Sequence, residues 1–121
     1  IVELIGMQGR EYTKVNTYSK GMIQRFGLGA ALIGNPKLLI LDEPTAGLDP
    51  IGIREIRQLL ESLKHQGMTI FLNSHLLSEV EKICDTAAII NRGKLLVKDA
   101  ISAIVKDGDT LEDVFVRLVK G

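Results

Sequence analysis

The sequence has a single cysteine, no tryptophan and no long apolar segment. With Cys84 alone, the chain can form no internal disulfide and no cysteine-based zinc site. Its longest unbroken apolar runs are four residues, as at Leu38–Leu41, far below the ~20 residues needed to cross a bilayer. The chain begins with Ile1 rather than Met, which we interpret as the end part of a longer protein.

Neither sign of charge is in excess. The chain carries 15 basic and 15 acidic side chains, so its formal net charge is zero. There is no basic stripe to attract nucleic acid and no acidic tail to attract a basic partner. A length of 121 residues suits one domain at most. A hydrophobic content of 45% with 25% charged residues is typical of a core-forming chain and excludes disordered and fibrous classes.

Apolar segments predict an α/β fold. Residues 38–42 and 68–73 are apolar runs without alternation, typical of strands buried on both faces of a parallel sheet. Residues 86–91 and 94–98 predict two more strands, paired as a hairpin. Helical spacing and capping residues predict helices at 1–7, 19–34, 51–65, 78–84, 99–105 and 110–119. Alternating strands and helices predict a mostly parallel sheet with flanking helices.

Two of these helices have apolar residues at helical spacing. On the helix after Ser19, these residues are Met22, Phe26, Ala30 and Ile33. On the helix at 51–65, they are Ile53, Ile56, Leu60 and Leu63, which we expect to form its inner face. In parallel sheets, ligands bind beyond the carboxyl ends of the strands, so the polar residues that follow the strands are the first candidates for a site.

Two adjacent carboxylates follow the first predicted strand, at Asp42 and Glu43. Asp42 could hold Mg²⁺, directly or through a water, because this ion prefers oxygen ligands and retains waters. Glu43 could polarise a water for attack on a phosphate. The alternative is that both are solvated acids of a turn. The apolar run before them and Pro44 after them favour the site.

The second predicted strand is followed by Asn73, Ser74 and His75. A histidine at this place, one strand away from Asp42 and Glu43, could donate a hydrogen bond to a phosphate. The alternative is that Ser74 caps the next helix beside a histidine without a special role.

A third candidate lies at Ser19, Lys20 and Gly21. The free N–H groups and the positive dipole end at a helix start favour phosphate binding, and Gly21 allows close approach of the backbone. The alternative is that Ser19 is only a helix cap and Lys20 only a surface charge.

Together, these segments resemble the C-terminal part of the nucleotide-binding domain of ABC transporters, an ABC-type P-loop NTPase of RecA-like fold. The likeness comprises, in the family's order, the signature motif (18–25), Walker B with its following glutamate (38–44), the D-loop (46–49) and the switch histidine (74–75). Gly21 precedes Asp42 by 21 residues, and Asp42 precedes His75 by 33. Both intervals are similar to those of the family.

The resemblance implies a domain organisation and a ligand. Residues 1–34 would be the end of the helical signature subdomain, 35–98 part of the ATPase core, and 99–121 a C-terminal helical tail. The ligands would be ATP and Mg²⁺, with Asp42 at the metal and with Glu43 and His75 as the catalytic residues.

The resemblance also implies a head-to-tail homo- or heterodimer that sandwiches ATP. Ser19 and Gly21 would then bind the nucleotide of the partner subunit, in trans. Asp49 would lie at the dimer interface, in the D-loop, and couple the two sites.

Three segments further resemble bacterial ABC-2-type exporters, which serve antibiotic resistance, sodium extrusion and gliding motility. They are YSKGM (18–22), GLDPIGIREIRQLL (47–60) and TLEDVFVRLVKG (110–121). This likeness implies hydrolysis of ATP to ADP and phosphate, coupled to export through separate transmembrane permease subunits. It places the protein in the cytoplasm, peripheral on the inner face of the membrane, with no nucleic-acid partner.

The sequence departs from the family pattern in two respects. The usual signature is Leu-Ser-Gly-Gly-Gln, whereas here Lys20 replaces a glycine and Met22 a glutamine. The phosphate loop GxxxxGK[ST] is absent from the 121 residues, so we expect half a site and no activity from this chain alone. Two alternatives remain: a soluble ABC-type ATPase acting on nucleic acid or ribosomes, and a non-catalytic truncated remnant.

Overall fold

A computed structural model describes Ile5, Gly9 and residues 20–121. The predictions for residues 1–4, 6–8 and 10–19, among them Ser19 as a helix cap, lie outside the described residues. The chain divides into two compact units, Ile1–Ser74 and His75–Gly121. In the described part of the chain, no helix combines the length and the apolar character required to cross a membrane.

The described residues of the first unit form two helices and two strands, in the order that the sequence predicted. They are α1 (Lys20–Ala31), β1 (Leu38–Asp42), α2 (Pro50–His65) and β2 (Thr69–Asn73). β1 and β2 pair in parallel, with Leu38 opposite Thr69 at one end and Asp42 opposite Asn73 at the other. The carboxyl ends of both strands therefore meet at one edge of the pair.

Helix α2 connects the two strands and packs against β2. Its buried residues recur at helical spacing and form one apolar stripe: Ile56, Leu59, Leu60 and Leu63. The helix begins sharply because Asp49 caps it, accepting a hydrogen bond from Gly52 N at 2.7 Å, and Pro50 occupies its first turn. The predicted inner face is confirmed except at Ile53, which is only half-buried.

The apolar positions at helical spacing in the α1 segment, Met22, Phe26, Ala30 and Ile33, are not its buried ones. The buried side chains of this segment are Leu28 and Leu32, one turn apart and each 5% exposed, whereas Ile33 is 71% exposed. After Lys20, the only charged residue of α1 is Arg25. The helix is thus apolar on most sides, and periodicity alone cannot select the buried one.

The second unit contains α3 (Leu77–Ile83), β3 (Thr86–Asn91), β4 (Lys94–Ala100), α4 (Ile101–Ile104) and α5 (Leu111–Lys120). β3 and β4 form the predicted hairpin, antiparallel and closed by Arg92 and Gly93. Both turn residues have positive φ values, 50° and 75°, as the tightest hairpin turns require.

The hairpin carries a bulge in β4. Ile89 lies opposite Val97, but the next residue, Ile90, lies opposite Leu95. Leu96 is therefore an extra residue without a partner across the ladder, and such an insertion increases the local twist.

The core of the second unit is a cluster of Ile89, Leu111 and Val114 with partly buried neighbours from α3, β4 and α4. Helix α5 begins with a capping box in which Thr110 and Asp113 exchange hydrogen bonds. The next N–H, of Leu111, donates to Glu81 Oε2 at 3.0 Å, which ties the start of α5 to α3.

Candidate functional site

The carboxyl edge of the β1–β2 pair carries the polar residues that the sequence singled out. Asp42 is the last residue of β1, and its register partner Asn73 is the last residue of β2. Both side chains are exposed. The apolar run of each strand ends at this edge, so the edge offers oxygen atoms to a ligand beyond the sheet.

Glu43 leaves this edge in an unusual backbone conformation. Its φ of 49° lies in the left-handed region, which residues other than glycine seldom adopt. Its N–H donates to two oxygens of Asn73, the backbone carbonyl at 3.0 Å and Oδ1 at 3.1 Å. The backbone of Glu43 is thus fixed to the end of the neighbouring strand.

The segment from Glu43 to Asp49 is a compact turn. Ala46 N donates to the Glu43 carbonyl at 3.1 Å, and Leu48 N donates to the Thr45 carbonyl at 3.3 Å. Thr45 is only 2% exposed. Asp49 ends the turn and uses Oδ1 to cap α2, so the predicted D-loop carboxylate is anchored at a helix N-terminus.

Gly21 and Asp49, two of the predicted site residues, line one open groove of 460 Å³ between α1 and the start of α2. A Cβ on Gly21 would lie 3.7 Å from Leu48 Cδ2, so α1 and the turn are in contact distance here. Gln24 Nε2 also donates to the Ala46 carbonyl at 3.4 Å. Arg25 of α1 pairs with Glu55 of α2.

The remaining two predicted site residues are His75 and Ser19. His75 is the exposed first residue of the second unit, and its carbonyl accepts a hydrogen bond from Leu77 N at 3.1 Å. Ser19 lies outside the described residues. The structure therefore brings together Asp42 with Glu43, and Gly21 with Asp49.

Sequence reasoning gave no role to Asn73 or Gln24, although both bond to the segment between β1 and α2. Their partners lie 30 and 22 residues away in sequence. For Asn73, the sequence offered one indication of a role, its position at the end of a predicted strand. For Gln24, periodicity offered none.

The residues present fit a magnesium ion of the kind that accompanies nucleotides. Within the part of the chain that the structure describes, no group of three or more His, Cys, Asp or Glu side chains could hold a metal. Mg²⁺ does not require such a cage, because one or two carboxylates with substrate phosphates and waters suffice. The exposed carboxylate of Asp42 has the chemistry of such a ligand.

Comparisons with known proteins show what the chain is similar to. A family model described as "AAA domain, putative AbiEii toxin, Type IV TA system" matches residues 2–81. YhcH, an uncharacterized ABC transporter ATP-binding protein of Bacillus subtilis, is 50% identical over 91% of this chain and 37% of its own length. The bacitracin transport ATP-binding protein BcrA of Bacillus licheniformis is 52% identical over 79% of this chain and 32% of its own length.

A solved ATP-binding subunit of an ABC transporter superposes on 98% of this chain and 51% of its own length, with a TM-score of 0.85 and 29% identity. The likeness confirms the predicted fold class, part of a P-loop NTPase domain. The chain belongs to the ABC transporter ATP-binding proteins. It spans between about a third and a half of the length of these relatives.

Proposed function

We propose that the complete protein hydrolyses ATP to ADP and phosphate and couples this reaction to export through separate transmembrane permease subunits. A relative named for bacitracin transport, 52% identical over 97 residues, supports the transport role. The tail at 110–121, which resembles ABC-2-type exporters, supports export. The protein would act on the cytoplasmic face of the membrane.

The observation that carries the proposal is the edge formed by Asp42 and Glu43. Two carboxylates leave the same parallel strand one residue apart, and the backbone of the second is fixed to the next strand. Phosphoryl transfer depends mainly on positioning and electrostatics. An edge with two carboxylates, of which the second extends from a backbone fixed to the next strand, suits two roles, one at the metal and one at the attacking water.

In this mechanism, Glu43 accepts a hydrogen bond from the attacking water and holds it in line with the γ-phosphate. Asp42 would hold Mg²⁺, directly or through a water, and the bound ion would neutralise negative charge on the phosphates. His75 donates a hydrogen bond to the γ-phosphate, which helps to disperse charge as the bond to ADP breaks.

A dimer would complete the site. Ser19 and Gly21 would bind the ATP of the partner subunit, and Asp49 would couple the two sites at the interface. The groove that Gly21 and Asp49 share supports a linked role for these two residues. The phosphate loop would come from outside these 121 residues. We retain 1–34 as the end of the signature subdomain, 35–98 as ATPase core and 99–121 as the tail.

The test is Glu43→Gln in the complete protein. The amide keeps the size of the side chain but loses its charge and basicity, so steady-state hydrolysis should fall by about 10²–10⁴-fold. The dimer should then persist with ATP bound, which size-exclusion chromatography in ATP and Mg²⁺ would detect.

The matched control is Glu112→Gln, the same change at an exposed residue of α5. It should leave hydrolysis unchanged. Undiminished hydrolysis in Glu43→Gln would contradict the role of this residue. Stimulation of the unaltered protein by nucleic acid, but not by its permease, would favour the soluble ATPase. No hydrolysis by the unaltered protein would favour the remnant.

A further inference from the structure

The left-handed conformation of Glu43 is exceptional among the described residues. Four of them other than glycine have a positive φ: Asn35, Glu43, Arg92 and Asp107. Three adjoin a glycine that also has a positive φ, as in ordinary turns. Glu43 instead lies between Asp42 and Pro44, so it has no glycine neighbour that would form an ordinary turn with it.

Pro44 and the strand that precedes Glu43 limit the backbone conformations that Glu43 can adopt. Pro44 disfavours the right-handed helical region for the residue before it. An extended Glu43 would continue the line of β1 away from the edge of the sheet. The left-handed conformation reverses the chain at once, and such conformations persist where the surrounding structure enforces them.

The enforcing contact is Asn73. Its carbonyl accepts the N–H of Glu43 at 3.0 Å, which extends the parallel ladder by one residue. Its side-chain Oδ1 accepts the same N–H at 3.1 Å. A side chain without an oxygen at this position would leave only the carbonyl bond, so the second acceptor depends on the identity of residue 73.

We propose that Asn73 is a positioning residue for the hydrolytic carboxylate of Glu43. The inference rests on the proposed function, because it assigns Asn73 a task in the reaction that Glu43 performs. The Oδ1 of Asn73 holds the Glu43 N–H, the N–H bond holds the backbone turn, and the turn sets the direction in which the carboxylate leaves the sheet. Small displacements of a catalytic group slow a reaction strongly.

The test compares Asn73→Ala with the unaltered complete protein. The kcat for ATP hydrolysis should fall about tenfold while the KM for ATP is unchanged, because the variant displaces Glu43 without removing a nucleotide-binding residue. Asn73 is exposed, so the truncation removes no core packing. Amide hydrogen exchange, followed by NMR without nucleotide, should show faster exchange of the Glu43 N–H.

Two variants control the test. Asn73→Asp keeps an oxygen at the Oδ1 position and should restore the slow exchange of the Glu43 N–H. Asn91→Ala makes the same truncation at the last residue of another strand, β3, and should change neither kcat nor that exchange rate.

The outcomes separate this inference from the proposed function. If Asn73→Ala leaves kcat unchanged while Glu43→Gln abolishes hydrolysis, Asn73 has no positioning role but the function stands. If the exchange of the Glu43 N–H does not accelerate, the anchor itself is refuted. If Glu43→Gln hydrolyses ATP normally, the proposed function fails at its central residue.

Discussion

Among the described residues, both units place left-handed residues beside a glycine, as with Asn35 after Gly34 in the first unit, but only the first unit has one without a glycine neighbour. In the second unit, the left-handed residues Arg92 and Asp107 each precede a glycine of the same conformation, so local turn chemistry explains both. In the first unit, Glu43 turns in the same sense beside a proline, held by a strand 30 residues away. A contact between distant segments therefore enforces the conformation of Glu43, the residue that we propose as catalytic.

Both units bury one face of their strands and leave apolar side chains exposed on the other. In the second unit, Ile89 is 6% exposed, within the cluster that contains Leu111, whereas Ile90 is 64% and Leu95 60% exposed. In the first unit, α2 covers one face of the parallel pair, where Leu39 is 3% exposed, while on the other Ile40 is 69% and Phe71 66% exposed. What distinguishes the first unit is therefore the left-handed Glu43, which no neighbouring glycine explains, and not the exposure of its strands.

The largest effects should come from removing one core leucine from each unit. Leu60 of α2 and Leu111 of α5 are 1% and 2% exposed, and replacing either with alanine should cost about 3 kcal/mol. In native-state hydrogen exchange of the complete protein, Leu60→Ala should lower the opening free energy of amides in α2 and β1. Leu111→Ala should do so for amides in α5 and β3.

The two leucine variants control each other, since the chemical change is identical. Selective loss of protection would show that the units open independently. An equal loss in both units, whichever leucine is replaced, would show that they unfold as one cooperative body and would remove the basis of the comparison.

A smaller effect should follow from breaking the helix cap of the second unit. Thr110→Ala removes the acceptor for the Asp113 N–H and should cost about 1 kcal/mol of stability. Thr110→Ser, which keeps the hydroxyl, should retain most of it. Chemical denaturation of the complete protein at neutral pH, followed through amides of α5, would measure both.

The same cap should respond to acid. The backbone N–H and the hydroxyl of Thr110 lower the pKa of Asp113 below its ordinary 3.8. The contribution of the carboxylate is therefore present above the unfolded pKa and is lost as the pH falls through the lower folded pKa. Asp113→Asn should flatten this dependence below about pH 4, and an unchanged slope would contradict the assignment.

The smallest effect should distinguish the two kinds of left-handed residue. Glycine relieves the steric cost of a positive φ but loses more entropy on folding, so Arg92→Gly and Glu43→Gly should each stabilise by about 0.5 kcal/mol. Only Glu43→Gly should abolish ATP hydrolysis. Thermal unfolding with a parallel activity assay would check both, and loss of hydrolysis in Arg92→Gly would contradict the division of roles.

The sequence predicted most of the architecture because the strands and α2 each have a clear local pattern of apolar residues. The apolar run Leu38–Leu41 predicts a strand, and the spacing of Ile56, Leu60 and Leu63 predicts a helix with one apolar side. The predicted burial of the strands on both faces was wrong, because Ile40 is 69% and Phe71 66% exposed. Helix α1 lacks such contrast, since a nearly uncharged helix can bury any of its sides. Its buried leucines, Leu28 and Leu32, could therefore not be chosen from periodicity.

The candidate site was predicted less completely, for a different reason. Asp42 and Glu43 were found because an apolar strand ends at them. The part played by Asn73 depends on the register between β1 and β2, which places it level with Asp42. Register is set by pairing between distant segments, so no local pattern reveals that the Asn73 amide reaches the N–H of Glu43.

The bulge at Leu96 determines how the length of β4 can vary. Leu96 has no partner across the ladder, so a deletion there would remove the bulge and keep all six pairings between β3 and β4. A deletion elsewhere in β4 would shift the pairing of the residues between it and the bulge and turn their side chains to the opposite face. Related sequences can thus lose one residue of the strand at the bulge. Elsewhere in β4, substitutions preserve the pairing, whereas deletions do not.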